Sequence, residues 1–458
     1  MRNLSLALVL ILFSTSLSHT YAAGGIDYSW YTEGDYTPST RVKVTLHNSL
    51  DFDRTDCPVV ITRQEMPIPN ISDFWVTVVD PTLPPLPEPT AEELAKVGGW
   101  LPRRETNGHY LRYQLDDIDK DGLWDELFFM IDITAHATKT IYLYTEKPDK
   151  PFLRGLYKQD TFAMIGNYER NLISWWESKY MGWKLAYPTD VDMYAKREPM
   201  LVAYEEQINN YSGYNKPYAH GSDILMVSDT FGAGGIGVFE VPSQPDSVSR
   251  PRFSPYKNEG QFYDTRYARH VIVSGPLRSM VSTHTMNWRS GKGLYELVQY
   301  YTAYKDKSYS TCRAKFLTFV PEEPETEFCC GMRHIMNEYD TYQQGGTVIS
   351  MGKDVVIESP SPDESKEEKM RTVLDFEAIA LVVKDIHNPR YRAIEGFGGN
   401  HTFSIPVNDR LEFEYLFAGA WSEGTVNRTA EEFGDYVSKV AQEFNNPLVI
   451  EELKIERK

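Results

Sequence analysis

Apolar and polar residues alternate along most of this chain. Val42, Val44 and Leu46 lie two apart, and the same period runs through FWVTVV (74–79), HYLRYQL (109–115), LFFMIDI (127–133) and KTIYLYT (139–145). It returns in IGVFE (236–240), RSMVSTHTM (278–286), YELVQYYTAY (295–304), STCRAKFLTF (310–319), AIALVVK (378–384) and LEFEYLFA (411–418). A strand turns successive side chains to opposite faces, so a period of two marks a strand with one buried face. Turn residues separate the segments. The pattern predicts a mostly β protein of β-sandwich architecture.

Helices are few. A short one is predicted over residues 90–96. The clearest lies near the C-terminus, where Thr429 followed by Glu432 makes a capping box. Phe433, Tyr436, Val437, Val440, Ala441 and Phe444 then recur at helical spacing, the mark of an amphipathic helix packed on a sheet. A proline-rich stretch (81–89) and a charged run (359–369) read as exposed loops. A loose boundary near 150 divides a smaller N-terminal β unit (24–150) from a larger one (151–458) that carries the candidate active site.

Residues 1–23 read as a signal peptide. Arg2 gives the positive start, Leu6 to Phe13 the short apolar core, and Ala22 and Ala23 the small-residue exit. That core is too short to span a bilayer. The expectation is an exported, periplasmic protein with no membrane anchor. The formal charge is -18, which makes nucleic acid a poor partner. Thirty tyrosines accompany 9 Trp and 21 Phe, flat faces with polar tips that suit sugars and β cores alike. Of the four cysteines, Cys312 is expected to pair with Cys329 or Cys330 across neighbouring strands, since export permits disulfides.

The sharpest local motif is Asp117-Ile-Asp119-Lys-Asp121-Gly122-Leu-Trp-Asp125-Glu126. Alternate carboxylates followed by a turn glycine suit a hard cation, and Asp117, Asp119, Asp121 and Asp125 are the candidate ligands of a structural calcium ion. Position twelve of the loop is Phe128, so this is not a full EF-hand. A second region runs from Trp175, Trp176 and Glu177 to Lys196. It mixes aromatics with charge and reads as a long connection able to build a site. A third is Tyr214-Asn-Lys216-Pro-Tyr218-Ala-His220, followed by the glycine-rich FGAGGIG (231–237). That glycine stretch reads as a bend for close backbone packing. A fourth is Arg266-Tyr267-Ala-Arg269-His270, with arginines suited to a carboxylate or sulfate. Arg333-His334 is a weaker version of it. No nucleophile elbow, phosphate loop or zinc-protease helix is present.

The pieces DRTDCPVVI (53–61), QLDDIDKDGLWDELFF (114–129), WWESKYMGWK (175–184), DMYAK (192–196), GSDILMV (221–227), GAGGIGV and FAGAW (417–421) occur in that order. In this the chain resembles a family of exported proteins from carbohydrate-degradation gene clusters of marine and gut Bacteroidota, long classed as a domain of unknown function. One activity in that family is an ulvan oligosaccharide dehydratase. The resemblance implies removal of water from the uronic acid at the non-reducing end of a sulfated oligosaccharide, leaving an unsaturated uronate.

Such chemistry needs a base for the proton on carbon 5, charge compensation at the neighbouring carboxylate, and an acid for the hydroxyl leaving carbon 4. His220 is the candidate proton-transfer group, with Tyr218 or Tyr214 as partner and Glu177 to orient them. Arg266 or Arg269 would hold the carboxylate, and Lys184, Lys196 and Trp176 would help to bind substrate. No cofactor is expected in the chemistry itself. The rival readings are a polysaccharide lyase on uronate glycans and a non-catalytic glycan binder. The oligomeric state stays open.

Overall fold

The computed structural model describes residues 27–33, 36–68, 76–84, 90–96, 108–146, 158–168, 171–187, 190–203, 219–227, 229–251, 265–289, 291–353, 355–356, 372–395 and 399–458. Expected features at 1–23, 85–89 and 359–369, and Tyr214 and Tyr218, lie outside them.

The smaller sandwich faces a five-stranded sheet with a three-stranded one. The first has the order Val449–Arg457, Thr40–His47, Thr138–Tyr144, Thr77–Val79, Tyr110–Leu111; the second is Arg54–Thr62, Glu126–Ile133, Tyr113–Asp116. Val42, Val44, Ile61, Leu127, Phe129, Ile141 and Leu143 seal the space between them. They are the alternating positions of the sequence pattern. The last strand corrects the expected boundary. Val449–Arg457 does not belong with the larger unit but pairs antiparallel with Thr40–His47.

The larger sandwich has an eight-stranded antiparallel sheet as one layer. Its order is Arg266–Ser274, Arg278–Trp288, Leu294–Tyr304, Tyr309–Val320, Glu412–Trp421, Glu377–Val383, Thr347–Gly352, Glu338–Gln344. Two five-stranded sheets form the other layer. One runs Gly221–Asp223, Asp190–Lys196, Met181–Tyr187, Asn171–Ser178, Thr161–Tyr168; the other runs Val248–Ser249, Gly235–Phe239, Glu327–Arg333, Asn400–Ile405, Arg390–Ile394. Trp176, Trp183, Tyr301, Phe316, Phe328, Phe403 and Phe417 fill the interior between the layers.

The segment from Asn171 to Lys196 is thus three strands, not the long connection that was expected. Every residue of Asp190–Lys196 is buried. A strand covered on both faces shows no polar alternation, so the period of two disappears. The glycine-rich bend does pack backbone closely. Gly232 adopts φ 62°, and a β-carbon there would lie 2.1 Å from the Val191 carbonyl oxygen.

The helix Ala430–Asn445 starts where the capping box placed it, with Glu432 N–H donating to Thr429 Oγ1 at 3.2 Å. Phe433, Val437, Val440 and Ala441 pack on Ala378, Ala380, Val382, Leu416 and Ala418, the outer face of the eight-stranded sheet. The expected disulfide is absent. Cys312 sits in the eight-stranded sheet while Cys329 and Cys330 sit in the opposed layer, and all four cysteines are buried free thiols. Burial pushes the Cys57 and Cys312 thiols up to about 12.

Arg278 couples the two sandwiches. Its guanidinium donates at 2.6 Å to both Asp116 and Glu126 of the smaller unit. Gln114 Oε1 accepts the Leu277 and Arg278 backbone N–H groups at 2.9 and 3.0 Å. Among the described residues, no helix is long and apolar enough to cross a membrane.

Phe433→Ala should cost about 3–5 kcal/mol, because the ring is fully buried and the sheet cannot follow the helix into the void. Urea denaturation of the purified chain would show this as a lower midpoint, and an unchanged midpoint would contradict the packing described.

Candidate active site

Period two governs the core-facing side of the second five-stranded sheet. Phe328, Cys330 and Met332 line up along one strand, and Ile405 and Phe403 along its neighbour, all inside the sandwich interior. The next positions in the same two rows are His334 and His401. Both rows therefore change from apolar groups to imidazoles at one end of the core. His334 N–H donates to the Gly399 carbonyl at 3.1 Å, which extends the ladder by one bond. Gly399 has φ 83°, and a β-carbon on it would meet His334 Nδ1 at 3.2 Å, so glycine lets backbone and ring approach.

The chain then crosses between layers. Residues 334–337 lead from Glu327–Arg333 in one layer to Glu338–Gln344 at the edge of the eight-stranded sheet, with Asn337 taking the left-handed turn at φ 52°. The crossing delivers Glu338 to the imidazoles. His401 Nε2 lies 2.8 Å from Glu338 Oε1, and His334 Nδ1 lies 3.8 Å from Oε2. The two rings stack with centroids 4.0 Å apart. Tyr391, the diagonal neighbour of His401 across the strand pair, places its hydroxyl 2.7 Å from His401 Nδ1.

The protonation pattern follows from the charges. Burial pushes the Glu338 carboxyl up, but hydrogen bonds from His401 and Ser350 outweigh it and hold it at about 2. An ionised carboxylate only accepts, so His401 Nε2–H donates to it. The Nδ1 lone pair then accepts from the Tyr391 phenol. Burial and the adjacent His401 push the His334 imidazole down from its ordinary range. Its Nε2 is buried without a hydrogen-bond partner among the described residues. Tyr391, His401 and Glu338 thus form a hydrogen-bonded chain of the hydroxyl–imidazole–carboxylate kind, with a phenol at one end.

The residues singled out from the sequence lie elsewhere. Trp176 is fully buried, with Nε1 donating to Ser310 at 2.8 Å and its ring 4.9 Å from Tyr301. Glu177 and Lys196 are brought together, but as a sealed ion pair. Lys196 also donates to the Met200 carbonyl at 2.8 Å, and Glu177 accepts the Ala203 N–H at 2.8 Å. Lys184 pairs with Asp192 at 3.3 Å inside the core. All four are buried.

His220 is half-buried, just before the edge strand Gly221–Asp223. Arg266 and Arg269 lie on Arg266–Ser274, which packs by Thr161–Tyr168 at the opposite edge of that sheet. Four strand spacings, about 19 Å, separate the two edges. The structure does not bring His220 to the arginines.

Three of the four expected carboxylates of the acidic loop come together. Asp117, Asp119 and Asp121 set oxygens within 4.8 Å of one another. Asp117 caps Lys120 and Gly122 N–H at 2.7 and 3.0 Å, while Asp125 Oδ2 accepts the Ile118 and Asp119 N–H groups at 2.7 and 3.2 Å. Asp125 therefore holds the loop backbone.

The model of the domain of unknown function DUF4861 matches residues 103–450. The chain belongs to that family. No curated protein matches it. Among solved structures, it is similar to a glycosyl hydrolase family 38 protein from Enterococcus faecalis, with 8% identity and TM-score 0.44, over 91% of this chain and 47% of that one. It is also similar to an α-mannosidase from Enterococcus faecalis V583, with 8% identity and TM-score 0.43, over 92% and 46%. The chain spans about half the length of those structures.

The matched region contains the whole His334, Glu338, Tyr391 and His401 cluster. Sequence reasoning passed over three of the four because they are single residues on short segments. One signal was present: in FCCGMRH the row Phe328, Cys330, Met332 ends on a histidine, and HTFSI begins its row on one. A cavity of about 300 Å³ lies elsewhere, between the two sandwiches, lined by Arg54, Arg278, Tyr304, Arg313, Lys384 and Glu414.

Glu177→Gln should destabilise the protein by about 3–5 kcal/mol, since it leaves the Lys196 ammonium buried and unpaired. The double variant Glu177→Leu, Lys196→Met should recover much of the loss. Urea titrations of the single and double variants measure both effects.

Proposed function

We propose that this protein is an oligosaccharide dehydratase. Its substrate would be the non-reducing-end uronic acid of ulvan-type sulfated oligosaccharides, and its product an unsaturated uronate. The observation that carries the reading is the hydrogen-bonded chain Tyr391–His401–Glu338 at the open end of a rigid β core. Family membership and the order of motifs along the chain point the same way.

The carbon 5 proton of a uronate is weakly acidic because it lies beside the carboxylate. Transfer of the Tyr391 phenolic proton to His401 Nδ1 leaves a phenolate, and Glu338 stabilises the imidazolium so formed. The phenolate takes the proton from carbon 5. The same oxygen, protonated again, gives that proton to the hydroxyl on carbon 4, which departs as water. The carbon 4–oxygen bond breaks as the carbon 4–carbon 5 double bond forms. One oxygen serves both steps when both groups lie on one face of the ring. The enzyme would act in the periplasm after export on residues 1–23.

The test is ultraviolet absorbance of uronate-ended ulvan oligosaccharides with the purified protein, followed by mass spectrometry. Rising absorbance with loss of one water and unchanged chain length is the expected result. Shorter chains would make the enzyme a lyase, and no reaction with folded protein would move the reading to binding. Tyr391→Phe should lower turnover by at least about 100-fold with an unchanged melting temperature. His220→Ala should keep most of it. The reverse pattern would move the chemistry to His220.

For the acidic loop the proposal is a structural calcium ion held by Asp117, Asp119 and Asp121. Chelation should lower the melting temperature of the wild type and leave Asp119→Ala unmoved. Identical melting with calcium and with chelator would discard it.

A further inference from the structure

We infer that His334, Glu338 and His401 form a binding site for a borderline divalent cation of the zinc and cobalt class. This rests on the active-site reading above and supplies what that reading lacks, a positive charge for the substrate carboxylate.

Donor chemistry comes first. Two imidazoles and one carboxylate favour zinc, cobalt or manganese over calcium or magnesium, which prefer oxygen alone. Spacing comes second. Each of the three residues offers an atom within 4.8 Å of the others, and the two closest measured approaches are 2.8 and 3.8 Å. Donors on one ion at about 2.1 Å lie about 3.0–3.4 Å apart, so small side-chain adjustments admit the ion. Three protein ligands leave a position open, as a site that must bind substrate requires.

A further observation points to an occupant. His401 is oriented from behind, with Nδ1 fixed by Tyr391 at 2.7 Å, the outer-sphere contact that metal-binding histidines usually carry.

Charge completes the argument. Arg390 and Arg392 alternate with Tyr391 and so face away from the cluster; Arg390 pairs with Glu327, and Arg392 Nε donates to Ser404 at 3.0 Å. Arg333 alternates with His334 and reaches the Met226 carbonyl. These three arginines all lie on the face of the sheet opposite Tyr391 and His401. A cation held by His334, Glu338 and His401 would take the uronate carboxylate and offset the charge that grows there as carbon 5 loses its proton. With Nε2 on the ion, the proton it carried would leave to solvent and Nδ1 would take the Tyr391 phenolic proton, so that its N–H points at the phenolate oxygen. That oxygen remains the atom that exchanges protons with the sugar.

The experiment uses the full purified chain, stripped with EDTA and titrated with cobalt(II) alone, then with zinc(II). Equimolar uptake is expected, with visible cobalt absorption that zinc abolishes and a melting temperature raised by either ion. Glu338→Gln and His334→Gln, each confirmed as folded by near-ultraviolet circular dichroism, should lose the absorption and the shift. Asp119→Ala should keep both, which excludes the acidic loop as the cobalt site. No uptake by folded wild type, or equal uptake by the two glutamine variants, would overturn the inference. Turnover is measured separately. Full turnover by metal-free protein would overturn the cation and leave the elimination standing. Cobalt uptake without turnover on any uronate would leave the cation site and sink the elimination.

Discussion

Everything in this molecule depends on the apolar interior sealed between the eight-stranded sheet and the two five-stranded sheets that face it. Burial of those rings and aliphatic chains is the dominant favourable term, and it requires both layers to be in register. Once the layers are fixed, so is the end of each core-facing row. The site is what stands at the end of two such rows.

Charge has two separate uses here. Inside the fold, Arg278 with Asp116 and Glu126, and Lys196 with Glu177, are paired and hydrogen-bonded as buried ions must be. They join strands and units. At the edge of the core, Glu338 and His334 are only partly covered, and His401 beside them is buried. Partial cover keeps their interactions strong while leaving room for a ligand. The same residue types thus make sealed ion pairs in one place and a partly open cluster in the other, and burial separates the two.

Rigid support explains why the cluster makes a better site than the aromatic segment near Trp175. His401 and Tyr391 sit on paired strands, His334 on an extension of a third, and Glu338 on a strand of the opposite layer. No long loop among the described residues has to order itself to bring them together, so the geometry exists before substrate arrives.

The sequence by itself determined the mostly β class, the alternating strands of both sandwiches, the C-terminal helix with its cap at Thr429, and the acidic turn at Asp117–Asp121. Each is local: a period, a cap or a turn is written in neighbouring residues. Tertiary structure alone decided which groups meet. Asp190–Lys196 became a core strand because both its faces are covered, and that coverage erases the period that would have announced it. Trp176, Glu177 and Lys196 resembled a site because aromatic and charged residues were adjacent, yet the opposed sheet closes over Trp176, and residues 200–203 close over the Glu177–Lys196 pair. Glu338 and His401 lie 63 positions apart and join only because the chain crosses between layers at Asn337. No local pattern carries that crossing, since it depends on which sheets pack face to face.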